Sequence, residues 1–167
     1  MGFFTFLEIS YLLPVYYLYK CTIRTCMEYC CHLWAGASAD CLSLLDRIPK
    51  RIVNIIGPDH ASDLHSLSHR HNVASLSLFY RYYYGSCSDE LHDLVPLCKT
   101  FSRVTRYSSR AHLFSVEIPF CNKKFYSANF FPRTSVLWNS LPSHCFPEQY
   151  DLQSFKCSVN HHLSSLS

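Results

Sequence analysis

The sequence predicts a mostly α-helical protein, a bundle of about five or six helices with one small β-hairpin near residues 113–131. Apolar residues recur at intervals of three and four over most of the first 98 residues, which is the period of an amphipathic helix. Hydrophobic residues make up 49% of the 167 residues and charged residues 16%, which excludes a disordered chain and permits a sizeable core. Aromatic residues reach 16%, so we expect many rings in that core.

The first predicted helix covers about residues 9–34. Its apolar side chains follow the helical period, whereas Lys20, Arg24 and Glu28 recur every four residues on the opposite side. Gly36 is expected to close this unit, because glycine adopts the backbone conformation that ends many helices.

The next two helices have clearer boundaries. The second is predicted to begin with Asp40 as its N-cap and to end at Gly57, which a proline follows. Pro49 lies inside this helix and predicts a kink, because an interior proline costs roughly 3 kcal/mol. The third helix is predicted over residues 68–84 and ends at Gly85.

Shorter elements are predicted next. Residues 88–91 open a fourth, short helix, with acidic side chains in its first turn where the helix dipole favours them. Residues 113–118 and 125–131 are rich in aromatic and β-branched side chains, so they predict the two strands of a hairpin. Pro132 is expected to end the second strand.

Two more helices are predicted at the end of the chain. Thr134 is the expected cap of a short helix anchored by Trp138, and Asp151 is the expected cap of the last helix. The resulting organisation is a helical region at residues 1–98, followed at 99–167 by a basic loop, the hairpin and the C-terminal helices.

Basic residues concentrate in one stretch of the sequence. The net charge is only +3, but residues 99–133 contain seven basic residues and one acidic residue. Here basic and aromatic side chains alternate, a pattern that can pair with phosphates and stack on bases. The alternative is that the rings face a core and the bases face water. The members of the pattern are Arg103, Arg106, Tyr107, Arg110, Lys123, Lys124, Phe125 and Tyr126.

The sequence lacks the motifs of known catalytic sites. It has no GxSxG, HExxH, GxxxxGK or GxGxxG run, and its four glycines are too few for a phosphate-cradling loop. The only adjacent acids, Asp89 and Glu90, are explained by a helix start, so no carboxylate cluster holds two metal ions. We therefore expect no enzyme, no catalytic residue, no cofactor and no small-molecule substrate.

Ten scattered cysteines leave two alternatives open beside that of free thiols that pack as small hydrophobic groups. One is a structural zinc module, with Cys26, Cys30 and His32 as one half-site and Cys157 and His161 as the other. The other is a small secreted, disulfide-bonded protein. Neither spacing matches a known zinc motif, so no metal site is expected.

The first residues raise a third alternative, a membrane anchor. Residues 2–19 are apolar except for Thr5, Glu8 and Ser10, and they nearly reach the length of a membrane span. Against an anchor, no basic residue precedes this stretch, Glu8 lies inside it and Pro14 interrupts it. A membrane-anchored, Cys-rich protein stays as the alternative, and a cytoplasmic or nuclear location is expected.

Several ordered blocks resemble one family. Together they cover roughly residues 9–163 and resemble the region downstream of the catalytic palm in jockey-like non-LTR retrotransposon reverse transcriptases. The blocks include Met27-Glu28-Tyr29-Cys30, Leu67-Ser68-His69-Arg70, Leu78-Phe79-Tyr80-Arg81-Tyr82-Tyr83, Phe131-Pro132-Arg133-Thr134 and Leu137-Trp138-Asn139-Ser140-Leu141-Pro142. Thr25 and Pro49 depart from the family pattern, and Pro49 suggests a decayed copy.

The resemblance implies the thumb-side part of an RNA-directed DNA polymerase. The aromatic-x-Asp-Asp motif of the palm is missing, so the implied function is that of a non-catalytic fragment, which at most binds RNA or an RNA–DNA hybrid as template and primer. The candidate nucleic-acid-binding residues are Lys20, Arg24, Lys50, Arg51, Arg103, Arg106, Arg110, Lys123, Lys124 and Arg133.

Overall fold

The computed structural model describes residues 14–57, 64–97 and 112–166, and in these ranges the predicted mostly helical class is confirmed. In the described ranges, α-helical residues 14–18 lead into a π-helical turn at Tyr19–Ile23, eight further α-helices follow, and a 3-10 turn at Ser143–Cys145 lies before the last of them. The α-helices are α1 Arg24–Glu28, α2 Cys31–Trp34, α3 Ala39–Ile56, α4 Leu67–Tyr83, α5 Asp89–Asp93, α6 Lys124–Ser127, α7 Phe130–Ser140 and α8 Leu152–Ser165.

The chain divides into two compact units, Met1–His71 and Asn72–Ser167, and the division falls inside α4. The sequence instead placed a boundary at residue 98. The difference arises because Val73 and Val95 are buried in the same apolar cluster as the C-terminal Trp138.

In the N-terminal unit the long first helix is interrupted. Tyr29 has extended backbone (ψ 126°), and Cys30 is left-handed (φ 50°), so α1 and α2 are separate helices. The Trp34 indole N–H donates to the Tyr29 carbonyl at 2.9 Å and thus satisfies a group that a continuous helix would have bonded internally. The predicted helix over residues 9–34 was wrong at this point.

Helix α3 provides most of the small apolar cluster in this unit. It begins one residue after Ser38, whose hydroxyl accepts from the Cys41 N–H, so Ser38 and not Asp40 is the cap. The helix continues past the buried Pro49 and ends at Gly57, as predicted, where φ is +84°. Ile52 and Ile56 pack with the buried Tyr19, a cluster that Val15, Tyr16, Ile23 and Leu64 flank.

The C-terminal unit has a larger, aromatic core. Trp138 on α7 is fully buried, as the predicted anchor should be, with its ring centroid 5.0 Å from that of Phe79 and 4.9 Å from that of Phe146. Tyr80 stacks on Phe155 of α8 at 4.2 Å. The predicted cap of α8 is also confirmed, since the Asp151 carboxylate accepts from the N–H groups of the second and third residues after it.

The predicted hairpin is not present among residues 113–131, all of which the structure describes. Val116 forms only an isolated antiparallel bridge with Leu97. The Asn139 amide side chain binds both the N–H and the carbonyl of Val116, at 2.9 and 2.7 Å, and so makes the bonds that a second strand would make.

The residues predicted as the second strand are mostly helical. They form α6 and the start of α7, which begins at Phe130 rather than at Thr134. Pro132 does not end an element but occupies the first turn of α7, where its missing N–H has no intrahelical partner to lose.

Candidate nucleic-acid interface

In the C-terminal unit, aromatic rings and lysines are exposed together in one short segment. This basic–aromatic segment consists of Phe120, Lys123, Lys124, Phe125 and Tyr126. Phe120 is 85% exposed, Phe125 84% and Tyr126 49%, and both lysines are exposed. A ring of this size that stays in water gains nothing from the fold, so its exposure is compatible with a partner that stacks on it.

Local hydrogen bonds hold the segment. The single turn α6 begins after Lys123, and the Ser127 hydroxyl donates to the Lys124 carbonyl at 2.7 Å. The N–H groups of Tyr126 and Ser127 both donate to the Lys123 carbonyl. Within the described residues neither lysine has an ion-pair partner, so both ammonium groups are available to an anion.

In the N-terminal unit, Lys20 and Arg24 line an open groove of about 520 Å³. We call it the N-terminal groove, and Thr25, Glu28 and Tyr29 complete its lining. The Lys20 ammonium lies 4.4 Å from the centroid of the Tyr16 ring, a cation–π contact that positions the charge without neutralising it.

Two of the lining residues belong to a charge cluster that we did not single out in the sequence as a site. Arg24 Nε lies 2.8 Å from Glu28 Oε1, and Nη1 of Arg70 on α4 lies 3.0 Å from the same oxygen. The Arg70 side chain is only 6% exposed. Helical spacing could have suggested its burial, because Arg70 lies three residues, about one helical turn, before the buried Val73.

The candidate residues of α3 belong to another part of the N-terminal unit. Lys50 and Arg51 are both exposed. Lys50 lines a second groove, of about 570 Å³, with Asp46 and His65 among its other lining residues. Asp46 balances the charge of Lys50 there, whereas two basic residues face one acidic residue in the N-terminal groove, so the second groove is the weaker anion site.

Of the remaining candidates, one is described by the structure and three are not. Arg133 is half-buried on α7, and its backbone N–H donates to the Asn129 carbonyl. Arg103, Arg106 and Arg110, which belong to the predicted basic loop, lie outside the described residues.

Three features of the described residues bear on the zinc, disulfide and membrane alternatives. In the described ranges no three His, Cys, Asp or Glu side chains are placed to hold a metal ion. The nine cysteines that the structure describes are free thiols, and Cys26 and Cys157 of the suggested zinc half-sites are exposed. None of the helices in residues 14–57, 64–97 and 112–166 combines the length and apolarity of a membrane span.

Comparisons of the chain with protein-family models, with curated proteins and with solved structures find no match.

Proposed function

We propose that this chain is a non-catalytic, nucleic-acid-binding fragment derived from a retrotransposon reverse transcriptase, and that it binds RNA or an RNA–DNA hybrid. The observation that supports binding is the basic–aromatic segment, in which Phe125 is 84% exposed beside two exposed lysines. The proposed ancestry depends on the ordered sequence blocks described above.

The chemistry of the segment favours single-stranded nucleic acid. A lysine that neutralises a phosphate releases condensed counterions, and an exposed ring stacks on an unpaired base. Both contributions tolerate any sequence, because neither reads the hydrogen-bonding edge of a base. We therefore expect the segment to bind the unpaired template of a template–primer more tightly than a blunt duplex.

Fluorescence anisotropy with labelled single-stranded RNA and a labelled RNA–DNA hybrid tests this function. Phe125→Ala should weaken single-strand binding about fivefold, because a stacking contact contributes about 1 kcal/mol or more. Changing Lys123 and Lys124 to alanine should lower the slope of log K against log[salt] by about 0.7 per lysine. Leu113→Ala and Lys156→Ala are the matched controls, since both residues are exposed in the same unit and lie outside the segment.

Two results would contradict the proposal. Absence of any binding at about 50 mM salt would remove the nucleic-acid function, because low salt maximises the phosphate contribution. Primer extension by the purified chain with magnesium and nucleotides would show that it is catalytic. The ancestry has a separate test: a palm reading frame, intact or broken, in the genomic DNA adjacent to this coding sequence would support it.

A further inference from the structure

The buried guanidinium of Arg70 is the most unusual polar group in the N-terminal unit. Its side chain is 6% exposed, yet none of its three nitrogens has a hydrogen-bond acceptor in the described part of the chain. The contact of Nη1 with Glu28 is an ion pair at 3.0 Å without hydrogen-bond geometry. Buried polar groups are nearly always hydrogen-bonded, and an arginine has five N–H groups to satisfy.

Glu28 does not neutralise its surroundings. The same oxygen, Oε1, faces both Arg24 and Arg70, so one carboxylate serves two guanidinium groups. Lys20 lines the groove on which Glu28 and Arg24 also lie, and its ammonium contacts a ring rather than an acid. These four side chains carry three positive charges and one negative charge, an excess that favours an anion.

We propose that Lys20 and Arg24 form a phosphate-binding site at the N-terminal groove, and that Arg70, which does not line the groove, supports this site by pairing with Glu28. The planar guanidinium of Arg24 matches the oxygens of a phosphate, and the Lys20 ammonium adds a second positive charge on the same groove. The groove volume of about 520 Å³ leaves room for a phosphate with attached groups. Glu28 holds Arg24 in place and competes with the incoming anion for it, whereas the contact with Arg70 offsets part of the Glu28 charge.

The phosphate can come from two sources, a nucleic-acid backbone or a free phosphate. The first source rests on the proposed function, because it makes the groove a second contact for the same RNA strand or hybrid. The second source is independent of that function. In both cases the recognised chemistry is the same phosphate oxygens.

The test begins with inorganic phosphate and the whole chain. Binding is measured by ³¹P NMR line broadening, with chloride adjusted to keep the ionic strength constant. Arg24→Gln and Lys20→Gln should each weaken phosphate binding about tenfold or more, because each removes a charge-assisted contact on the groove. Arg47→Gln is the matched control, since Arg47 is exposed in the same unit and does not line the groove.

Glu28→Gln distinguishes a phosphate site from a purely structural ion cluster. A phosphate site should bind the anion about fivefold more tightly in this variant, because a competing negative charge is gone while the side-chain volume is kept. A structural cluster would show no gain. Arg24→Gln and Glu28→Gln together decide the proposal, and both variants should fold, because both residues are partly exposed.

A competition experiment separates the two sources. If the site binds backbone phosphates, inorganic phosphate should compete with a single-stranded oligonucleotide that lacks terminal phosphates, and Glu28→Gln should tighten binding of that oligonucleotide. If it binds free phosphate alone, the ³¹P effects should appear without competition. Failure of the chain to bind any oligonucleotide would contradict the proposed function, whereas the proposed site would be overturned by equal ³¹P broadening in wild type and Arg24→Gln.

Discussion

The two compact units differ in what they bury. The C-terminal unit buries a connected set of rings around Trp138, including Phe79, Tyr80 and Phe155. The N-terminal unit has a smaller apolar cluster around Tyr19 and, in addition, buries the charged side chain of Arg70.

Apolar packing therefore stabilises the C-terminal unit, whereas the N-terminal unit also buries a charged group whose hydrogen bonds are incomplete. Burial of apolar area is the dominant favourable term in folding. Burial of a charge costs desolvation free energy, which is offset only when the charge makes well-placed ion pairs and hydrogen bonds. Burial also raises the pKa of the Tyr80 and Tyr83 hydroxyls and of the Cys145 thiol in the C-terminal unit, which keeps these groups neutral. We therefore expect substitutions in the two units to differ in size and in sign.

The largest expected effect is at the centre of the aromatic core. Trp138→Ala should lower the free energy of unfolding by about 4 kcal/mol, because it leaves a large cavity. It also removes the 2.7 Å bond from the indole N–H to the Phe114 carbonyl. Urea unfolding followed by far-UV circular dichroism measures the loss.

Val136→Ala is the control for this substitution. Val136 lies on the same helix, α7, and is 52% exposed, so its truncation should change stability by less than about 0.5 kcal/mol. Equal effects of the two substitutions would show that Trp138 is not the centre of the core.

A smaller effect, of opposite sign, is expected in the N-terminal unit. Arg70→Met should raise the free energy of unfolding by about 1 kcal/mol in phosphate-free buffer, because an apolar side chain of similar length avoids the desolvation of a buried charge. Glu28 would keep its contact with Arg24 in this variant. Midpoints of urea unfolding, compared between the variant and wild type, measure the gain.

Glu28→Met provides the opposite substitution in the same ion pair. It should destabilise the chain by about 2 kcal/mol, because it leaves the Arg70 guanidinium buried without its carboxylate. A loss of stability in Arg70→Met as large as that in Glu28→Met would contradict the view that the buried arginine costs stability.

The same contrast explains which features could be predicted from the sequence. Asp151 as a cap and Trp138 as an anchor depend on local pattern, a capping side chain before a helix and a ring at helical spacing, and both were predicted correctly. The predicted hairpin was wrong because the hydrogen-bond partner of the Val116 backbone is the Asn139 side chain, 23 residues away, and not a second strand. The break at Cys30 was not predicted, because cysteine is not a residue type that indicates a left-handed backbone.

The candidate site shows the same limit. Its cations could be read from the sequence, but the direction in which Phe125 and Tyr126 point could not, since a ring beside lysines is equally compatible with a core and with water. The pairing of Arg70 with Glu28 joins residues 42 positions apart, a distance at which helical periodicity no longer informs.

The smallest expected effect concerns a titratable side chain of the C-terminal unit. His112 Nδ1 accepts from the Phe114 N–H at 3.2 Å, and its other ring nitrogen lies 3.2 Å from the Trp138 carbonyl. Desolvation by burial lowers the pKa of His112 below its ordinary value, although the bond to Trp138 opposes this shift. The fold therefore stabilises the neutral ring.

The sign of the pH dependence follows from the lowered pKa. Above the ordinary histidine pKa of about 6.5 the ring is neutral in both the folded and the unfolded chain, so its contribution to stability is complete. As the pH falls below about 6.5, the unfolded chain takes up the proton first, so the contribution to stability decreases. The decrease is complete once the pH lies below the pKa of the folded chain. The loss should stay below about 1 kcal/mol, because protonation removes one partly exposed hydrogen bond.

His112→Asn isolates this contribution from that of the other nine histidines. The asparagine oxygen can still accept from the Phe114 N–H but does not titrate. Unfolding free energies of both proteins, measured between about pH 5 and pH 8, should therefore diverge on the acid side, with wild type losing more stability. Parallel curves would mean that the fold does not hold the ring neutral. The C-terminal unit would then tolerate a charge beside Trp138 as readily as the N-terminal unit tolerates Arg70.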